Sequence, residues 1–285
     1  GMVLTHFKKK GNGDIELKWQ WEIDSDLIVD ELERYKLIWM DESDKIGHSP
    51  YKLDADGGYL TLYDGTTLID SFAYERGDAH ISYGRYNGSV GYMSPSPLSA
   101  NTMVVKNLTS NNRCTAPQFS QKPGVLTDSI YVSITTTTSN SSIYYTLDGS
   151  EPTDTSGNIY SEALYINKNT ILRARSYKNG MLPSKITTGT YLFAEEARTE
   201  CGGFSIPIVS LTTNDEYLND PMIGILVTGK NGIMGEKDCN FQKANYNQDW
   251  KRAINFEYIV NNEQVLSQEV EAAVEGGCSR SNSIK

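Results

Sequence analysis

Ile143-Tyr144-Tyr145-Thr146-Leu147-Asp148-Gly149-Ser150-Glu151-Pro152-Thr153 is the stretch that decides the fold. Its first five residues are apolar, aromatic or β-branched, the types that fit a pleated, half-buried strand. Asp148-Gly149 then supplies a tight turn, and Pro152 lacks the N–H that further pairing would use. The neighbouring segments repeat this idiom. Ile130-Tyr131-Val132-Ser133-Ile134 is strand-like, and Ile171-Leu172-Arg173-Ala174-Arg175-Ser176-Tyr177 alternates apolar and polar residues. Short strands punctuated by turn signals predict a β-sandwich over residues 105–193.

The flanks read similarly. Before it, Leu17 to Ile23 alternates with period two, and Tyr35 to Met40 is a short apolar run. Gly58 to Tyr63 leads into the turn Asp64-Gly65, with Leu68 to Tyr74 as the return strand, and Asp26 to Glu33 fits a turn or two of helix. After it, Ile206 to Leu211, Ile223 to Val227 and Ala253 to Val260 are expected strands. The polar stretch from Asn107 to Pro117 reads as a linker. These signals divide the chain into residues 1–104, 105–193 and 194–285. The expected fold is mainly β, with tandem β-sandwiches followed by an incomplete β-rich or α+β segment.

Composition narrows the function classes. The 285 residues hold 26 Lys and Arg against 36 Asp and Glu, a net charge of −10. Such an acidic chain lacks the basic footprint of a nucleic-acid binder. The charge is uneven: residues 1–104 carry −7, residues 105–193 carry +3 and residues 194–285 carry −6. Three histidines, His6, His48 and His80, leave little for acid–base or metal chemistry, and none belongs to an H-E-x-x-H pair. No run approaches the roughly 18 apolar residues of a membrane helix. The opening residues, with Lys8-Lys9-Lys10, carry no basic-then-apolar leader of the signal-peptide kind. Cys114, Cys201, Cys239 and Cys278 include no C-x-x-C pair, so zinc has no support and their disulfide state stays open.

The motif candidates are few. Gly224 to Asn231 fits the phosphate loop G-x-x-x-x-G-K-[ST] except at its last position, where the hydroxyl that binds Mg²⁺ is missing. Its central residues are apolar, so a strand followed by a turn is the better expectation. Asp54-Ala55-Asp56-Gly57 has the carboxylate spacing that opens a calcium loop but no distal Glu, and reads as a solvated turn. Trp19 and Trp21 fall on one face of a strand, where they either stack on sugar rings or pack into the core. Asn87-Gly88-Ser89, Asn107-Leu108-Thr109 and Asn140-Ser141-Ser142 match the N-glycosylation triplet, which marks these segments as exposed.

Three resemblances order these pieces. His48 to Asp64, Ile69-Asp70-Ser71, Ser82-Tyr83-Gly84-Arg85 and Pro97 to Asn101 resemble bacterial lamin-tail domains over residues 15–104, with that family's first strands unmatched. Pro117-Gln118-Phe119-Ser120, Gly124, Ile143 to Thr153, Leu172 to Ser176, Ser184 and Thr190-Tyr191 resemble the domain at the C-terminus of chitobiase and β-hexosaminidase, also described as fibronectin type III-associated. That resemblance implies an immunoglobulin-like sandwich without catalytic residues. Pro207 to Thr212, Gly224 to Val227, Trp250-Lys251-Arg252 and Gly276 to Arg280 resemble the beginning of the CotH kinase family, whose Ser-Arg motif and following lysine fall on Arg280 and Lys285. The family's catalytic aspartates lie further downstream, so ATP and Mg²⁺ are implied only for a complete kinase domain.

The expectation is therefore a non-catalytic multi-domain protein of surface or secreted architecture, binding glycans or surface proteins or acting as a spacer. It has no catalytic residue and no metal ligand, and Trp19 and Trp21 are its binding candidates. The alternative is the N-terminal part of a CotH-like atypical protein kinase.

Overall fold

The computed structural model describes residues 1–11, 13–27, 35–40, 47–77, 81–96, 99–108, 112–193, 207–229, 244–248 and 250–276. It is mainly β, with 49% of residues in strands and 4% in helix. The chain forms two compact units, Gly1–Asn112 and Arg113–Lys285.

The first unit contains β1 (Met2–Lys9), β2 (Ile15–Glu22), β3 (Trp39–Met40), β4 (His48–Ser49), β5 (Gly57–Asp64), β6 (Thr67–Glu75), β7 (Ser82–Tyr86) and β8 (Ser89–Met93). Four of them make an antiparallel sheet in the order β2-β1-β5-β6, and β7 pairs with β8. Strand β2 falls where alternation predicted it, and β5 and β6 fall on either side of the Asp64-Gly65 turn as expected. The apolar run from Tyr35 yields only the two-residue β3, and of the expected helix only a 3₁₀ turn at Ser25–Leu27 lies within the described residues. The central β1 is a strand that period-two reading did not pick out. Its buried residues are the adjacent Thr5 and His6, and such neighbours point to opposite faces of a sheet.

The second unit contains β9 (Gln118–Phe119), β10 (Gly124–Leu126), β11 (Ile130–Val132), β12 (Ile134–Thr135), β13 (Ser142–Thr146), β14 (Asn158–Ile159), β15 (Leu164–Ile166), β16 (Thr170–Tyr177), β17 (Thr187–Phe193), β18 (Ile208–Thr212), β19 (Arg252–Val260) and β20 (Glu263–Ala272), and among its described residues the short helix α1 (Asp215–Asn219). One sheet runs β14-β13-β16-β17-β10-β20-β19-β18, and two-stranded ribbons β11-β15 and β12-β9 complete the sandwich. Its core is Val132, Ile134, Ile143, Ile166, Leu172, Ala174 and Tyr191, all buried. The parity of Ile130-Tyr131-Val132 explains one wall: Val132 faces in at 0% while Tyr131 stands out at 65%.

The strands of residues 208–272 extend the same sheet instead of starting a separate one. β18, β19 and β20 form an antiparallel meander that reaches β10 at the pair Gly124↔Glu263. Glycine is required at that crossing. Gly124 has φ 145°, and a Cβ there would sit 2.1 Å from the Asn262 carbonyl oxygen. The approach leaves room for the Val125 N–H to donate to that same oxygen at 2.8 Å.

Ile223 to Val227, expected as a strand, is a run of turns and bends. Its amides satisfy a helix end instead of a ladder: Gly224 N–H donates to Asp220 O at 2.8 Å, Ile225 N–H to Tyr217 O at 2.9 Å and Leu226 N–H to Leu218 O at 2.9 Å. The last carbonyls of α1 have no intrahelical partner, and an apolar segment that buries Ile225 to 4% can supply donors to them. The turn at Asp148-Gly149 likewise departs from a plain hairpin. Asp148 accepts hydrogen bonds from its own turn, from Ser150 N–H at 3.0 Å and Ser150 Oγ at 2.6 Å, while Gly149 N–H donates to Ile171 O at 3.2 Å.

Candidate functional site

The two indoles named from the sequence sit in different surroundings. Trp21 is only 8% exposed and belongs to the core of the first unit. Trp19 is half-buried: its ring stacks on Tyr51 at 5.1 Å and 7°, and meets His6 at 5.1 Å and 38°. Its Nε1 donates to the Lys52 carbonyl at 2.9 Å, so the polar tip is already committed. The pair is mostly packed, and only part of Trp19 faces solvent.

His6 lies at the centre of this cluster, 1% exposed, with Nε2 sharing a 2.9 Å hydrogen bond with the Tyr74 hydroxyl. Gly58 makes room for both groups, because a Cβ there would lie 2.5 Å from His6 Nε2 and 2.8 Å from the Tyr74 hydroxyl. Burial pushes the His6 pKa below its ordinary 6.5, against the pull of Asp54 and with help from Lys18 and Lys8. The same burial, with Asp54 nearby, pushes the Tyr74 hydroxyl up to about 12. His6 Nδ1 has no hydrogen-bond partner among the described residues. These are features of a packed aromatic cluster.

In the second unit, the motif that decided the fold organises a buried polar network. Arg175 on β16 pairs with Glu151 at 3.0 Å, with side-chain exposures of 6% and 16%, and its Nε donates to Ser184 O at 2.8 Å. Asn214, just before α1, donates to the other oxygen of Glu151 at 3.1 Å. Arg173 donates to Gly149 O at 3.1 Å, and desolvation lowers its pKa. On β19, Glu257 is 0% exposed. Its oxygens accept Thr190 N–H at 2.9 Å, Thr190 Oγ1 at 2.6 Å and the Gln264 side-chain amide. These carboxylates hold backbone and neighbouring strands together.

A third place was not singled out by sequence reading. Tyr131 on β11 and Tyr165 on β15 are cross-strand partners, 65% and 52% exposed, with ring centroids 5.0 Å apart and tilted by 40°. Tyr165 donates its hydroxyl to Ser129 Oγ at 3.0 Å. Beside it opens a cleft of about 340 Å³, lined by Tyr165, Leu147, Ile166 and Thr170 with Asn158, Asn167, Lys168 and Asp148. The signal was there in parity. Ile130-Tyr131-Val132 and Leu164-Tyr165-Ile166 both put an aromatic residue where a solvent-facing strand position calls for a polar one.

Asp54 lies 3.5 Å from Lys8, and Asp56 3.6 Å from Arg76, so that turn is ion-paired. Asn87, Asn107 and Asn140 are all exposed. Cys114 is a free, buried thiol whose pKa desolvation raises. His80, Cys201, Cys239, Cys278, Lys230, Asn231, Arg280 and Lys285 lie outside the described residues. Among the described residues no helix is long and apolar enough to cross a membrane.

A family model described as Fn3 associated matches residues 132–191, the stretch from the inward Val132 to the fully buried Tyr191. No curated protein and no solved structure matches the chain significantly.

Proposed function

We propose that this chain is a non-catalytic, multi-domain binding or spacing protein of surface or secreted architecture. The observation that carries this reading is the use of its buried charges. Glu151, Arg175 and Glu257 are tied into structural bonds that join the Fn3-associated sandwich to the meander beyond it. A sheet that runs unbroken from β14 to β18 transmits position, which is what a spacer needs. The lamin-tail resemblance of residues 15–104 adds a second β module to that role, and surface or extracellular placement follows from the families resembled.

The kinase alternative rests on the CotH resemblance of residues 207–280. One observation bears on it. Arg252 of the Trp250-Lys251-Arg252 motif is anchored, with two guanidinium donors on Ile223 O at 2.9 and 2.6 Å and its plane over the Trp250 ring at 5.0 Å. That is a structural knot in this chain, whatever a longer kinase would add. The test is incubation of the purified chain with Mg²⁺ and γ-labelled ATP. Neither ATP hydrolysis nor labelled protein is expected, and Mg²⁺-dependent autophosphorylation would overturn the proposal.

A further inference from the structure

We infer that Tyr131, Tyr165 and the adjoining cleft form a binding site for a neutral carbohydrate. The inference rests on the reading of the chain as a binding module and names the ligand class. Three properties of the place converge.

The first is exposed aromatic surface held on a rigid support. Strands normally turn polar side chains to water, yet here two rings stand outward side by side while Val132 and Ile166 directly behind them are 0% and 2% exposed. The ring face presents an electron-rich surface, and the C–H groups on one side of a pyranose ring suit it. The rings are cross-strand partners and the Tyr165 hydroxyl is tied to Ser129, so little rotamer freedom is lost when a ligand lands.

The second is hydrogen-bonding chemistry at the edge of that ledge. The side chains of Asn158, Asn167 and Lys168 are exposed and form no hydrogen bond with another described residue. Each amide offers both a donor and an acceptor, which matches the paired character of sugar hydroxyls. The third is electrostatic. Asp148 and Lys168 line the same cleft with opposite charges, so neither an anion nor a cation is selected, and a polyhydroxyl ligand fits better than a charged one. At about 340 Å³ the cleft sits at the small end of the roughly 300–1,000 Å³ typical of ligand sites, enough for a sugar unit next to one stacked on the tyrosines.

The site differs from the Trp19–Tyr51 cluster in that both of its rings are already more than half exposed. The experiment is isothermal titration of the full chain with cellohexaose, xylohexaose, mannohexaose and the hexamer of N-acetylglucosamine. These titrations are repeated on Tyr131→Ala, Tyr165→Ala, the double variant carrying both, and Asn167→Ala. Saturable binding of at least one hexasaccharide is expected, weakened about tenfold by either tyrosine substitution and less by the asparagine. All three positions are exposed, so unchanged melting temperatures should accompany those losses. No binding by the parent chain to any of the four sugars up to about 10 mM overturns the inference, as does binding that survives the double tyrosine substitution. Either failure leaves the non-catalytic reading standing, because that reading falls only to phosphotransfer.

Discussion

Replacing Glu257 tests whether the sandwich and the meander are one folding unit. The carboxylate accepts Thr190 N–H at 2.9 Å and Thr190 Oγ1 at 2.6 Å, and it also takes the Gln264 amide. In Glu257→Ala, Gln264 is only half-buried and its amide turns to water. The Thr190 hydroxyl keeps Ser210 Oγ at 2.8 Å. The Thr190 N–H has no substitute, and a buried orphan donor costs about 1–3 kcal/mol. Adding the lost charge-assisted bond and a small void gives about 3 kcal/mol in all. For a unit of this size that is a drop of roughly 6–12 °C in melting temperature. Glu257→Gln behaves differently, because its carbonyl oxygen can keep Thr190 N–H while its amide donates to Thr190 Oγ1, whose own proton goes to Ser210. Its cost should be about 1 kcal/mol. Calorimetry and urea unfolding of both variants measure the two values. If the glutamine variant loses as much as the alanine variant, the hydrogen-bond inventory is not what Glu257 supplies. If the alanine variant loses under about 1 kcal/mol, the two parts are not joined there.

The remaining predictions probe other joints. Gly124→Ala places a methyl against the Asn262 carbonyl at a φ that L-residues rarely adopt, so it should cost about 2–4 kcal/mol in urea unfolding; a loss under about 0.5 kcal/mol would show that the crossing is slack. Glu151→Ala strands Arg175 without its buried partner and should cost about 3 kcal/mol, whereas a neutral result would mean that water reaches the pair. The first unit should weaken in mild acid. Its His6 pKa is depressed by burial, so the folded unit is fully favoured above the ordinary 6.5 and loses stability as the pH falls below it, where the unfolded chain binds the proton first. Melting scans between about pH 7.5 and 5 should show that slope flattening in His6→Gln, and an unchanged slope in the variant would assign it to other groups.

Much of the β architecture was legible because β-branched and aromatic residues run in short stretches between turn signals. Ile143 to Thr146, Ile171 to Tyr177 and Gly58 to Tyr63 are strands of that kind, and Ile171 to Tyr177 is buried on both faces. Where the pattern failed, burial had a different source. In β1, Thr5 and His6 are both covered, so parity carries no sign of which face is inside. β20, Glu263 to Ala272, carries Glu263, Glu269 and Glu271 and leaves most of its side chains exposed, and it is held as a strand by β19 pairing along it. Ile223 to Val227 has strand composition but lies against the carbonyl end of α1, a tertiary demand that no local pattern states. The aromatic ledge was missed for the opposite reason. Tyr131 and Tyr165 obey strand propensity so well that each passes for an ordinary strand residue, and only their pairing and exposure set them apart.

The bounds of the Fn3-associated match also have a physical consequence. The matched residues 132–191 begin after β10, yet β10 is the strand that lies parallel to the end of β17 and touches β20. β10 pairs with β17 only from Tyr191 onward, so the Thr190 N–H just before it faces a gap in the ladder. Glu257 fills that gap with a side chain in place of a backbone carbonyl. An isolated module cut at the matched bounds would therefore carry an open edge and an unpaired donor, the combination that invites association with other strands. In this chain the edge is closed by its own downstream segment. The sandwich and the meander should then respond to load together, whereas two beads on a linker would yield one after the other.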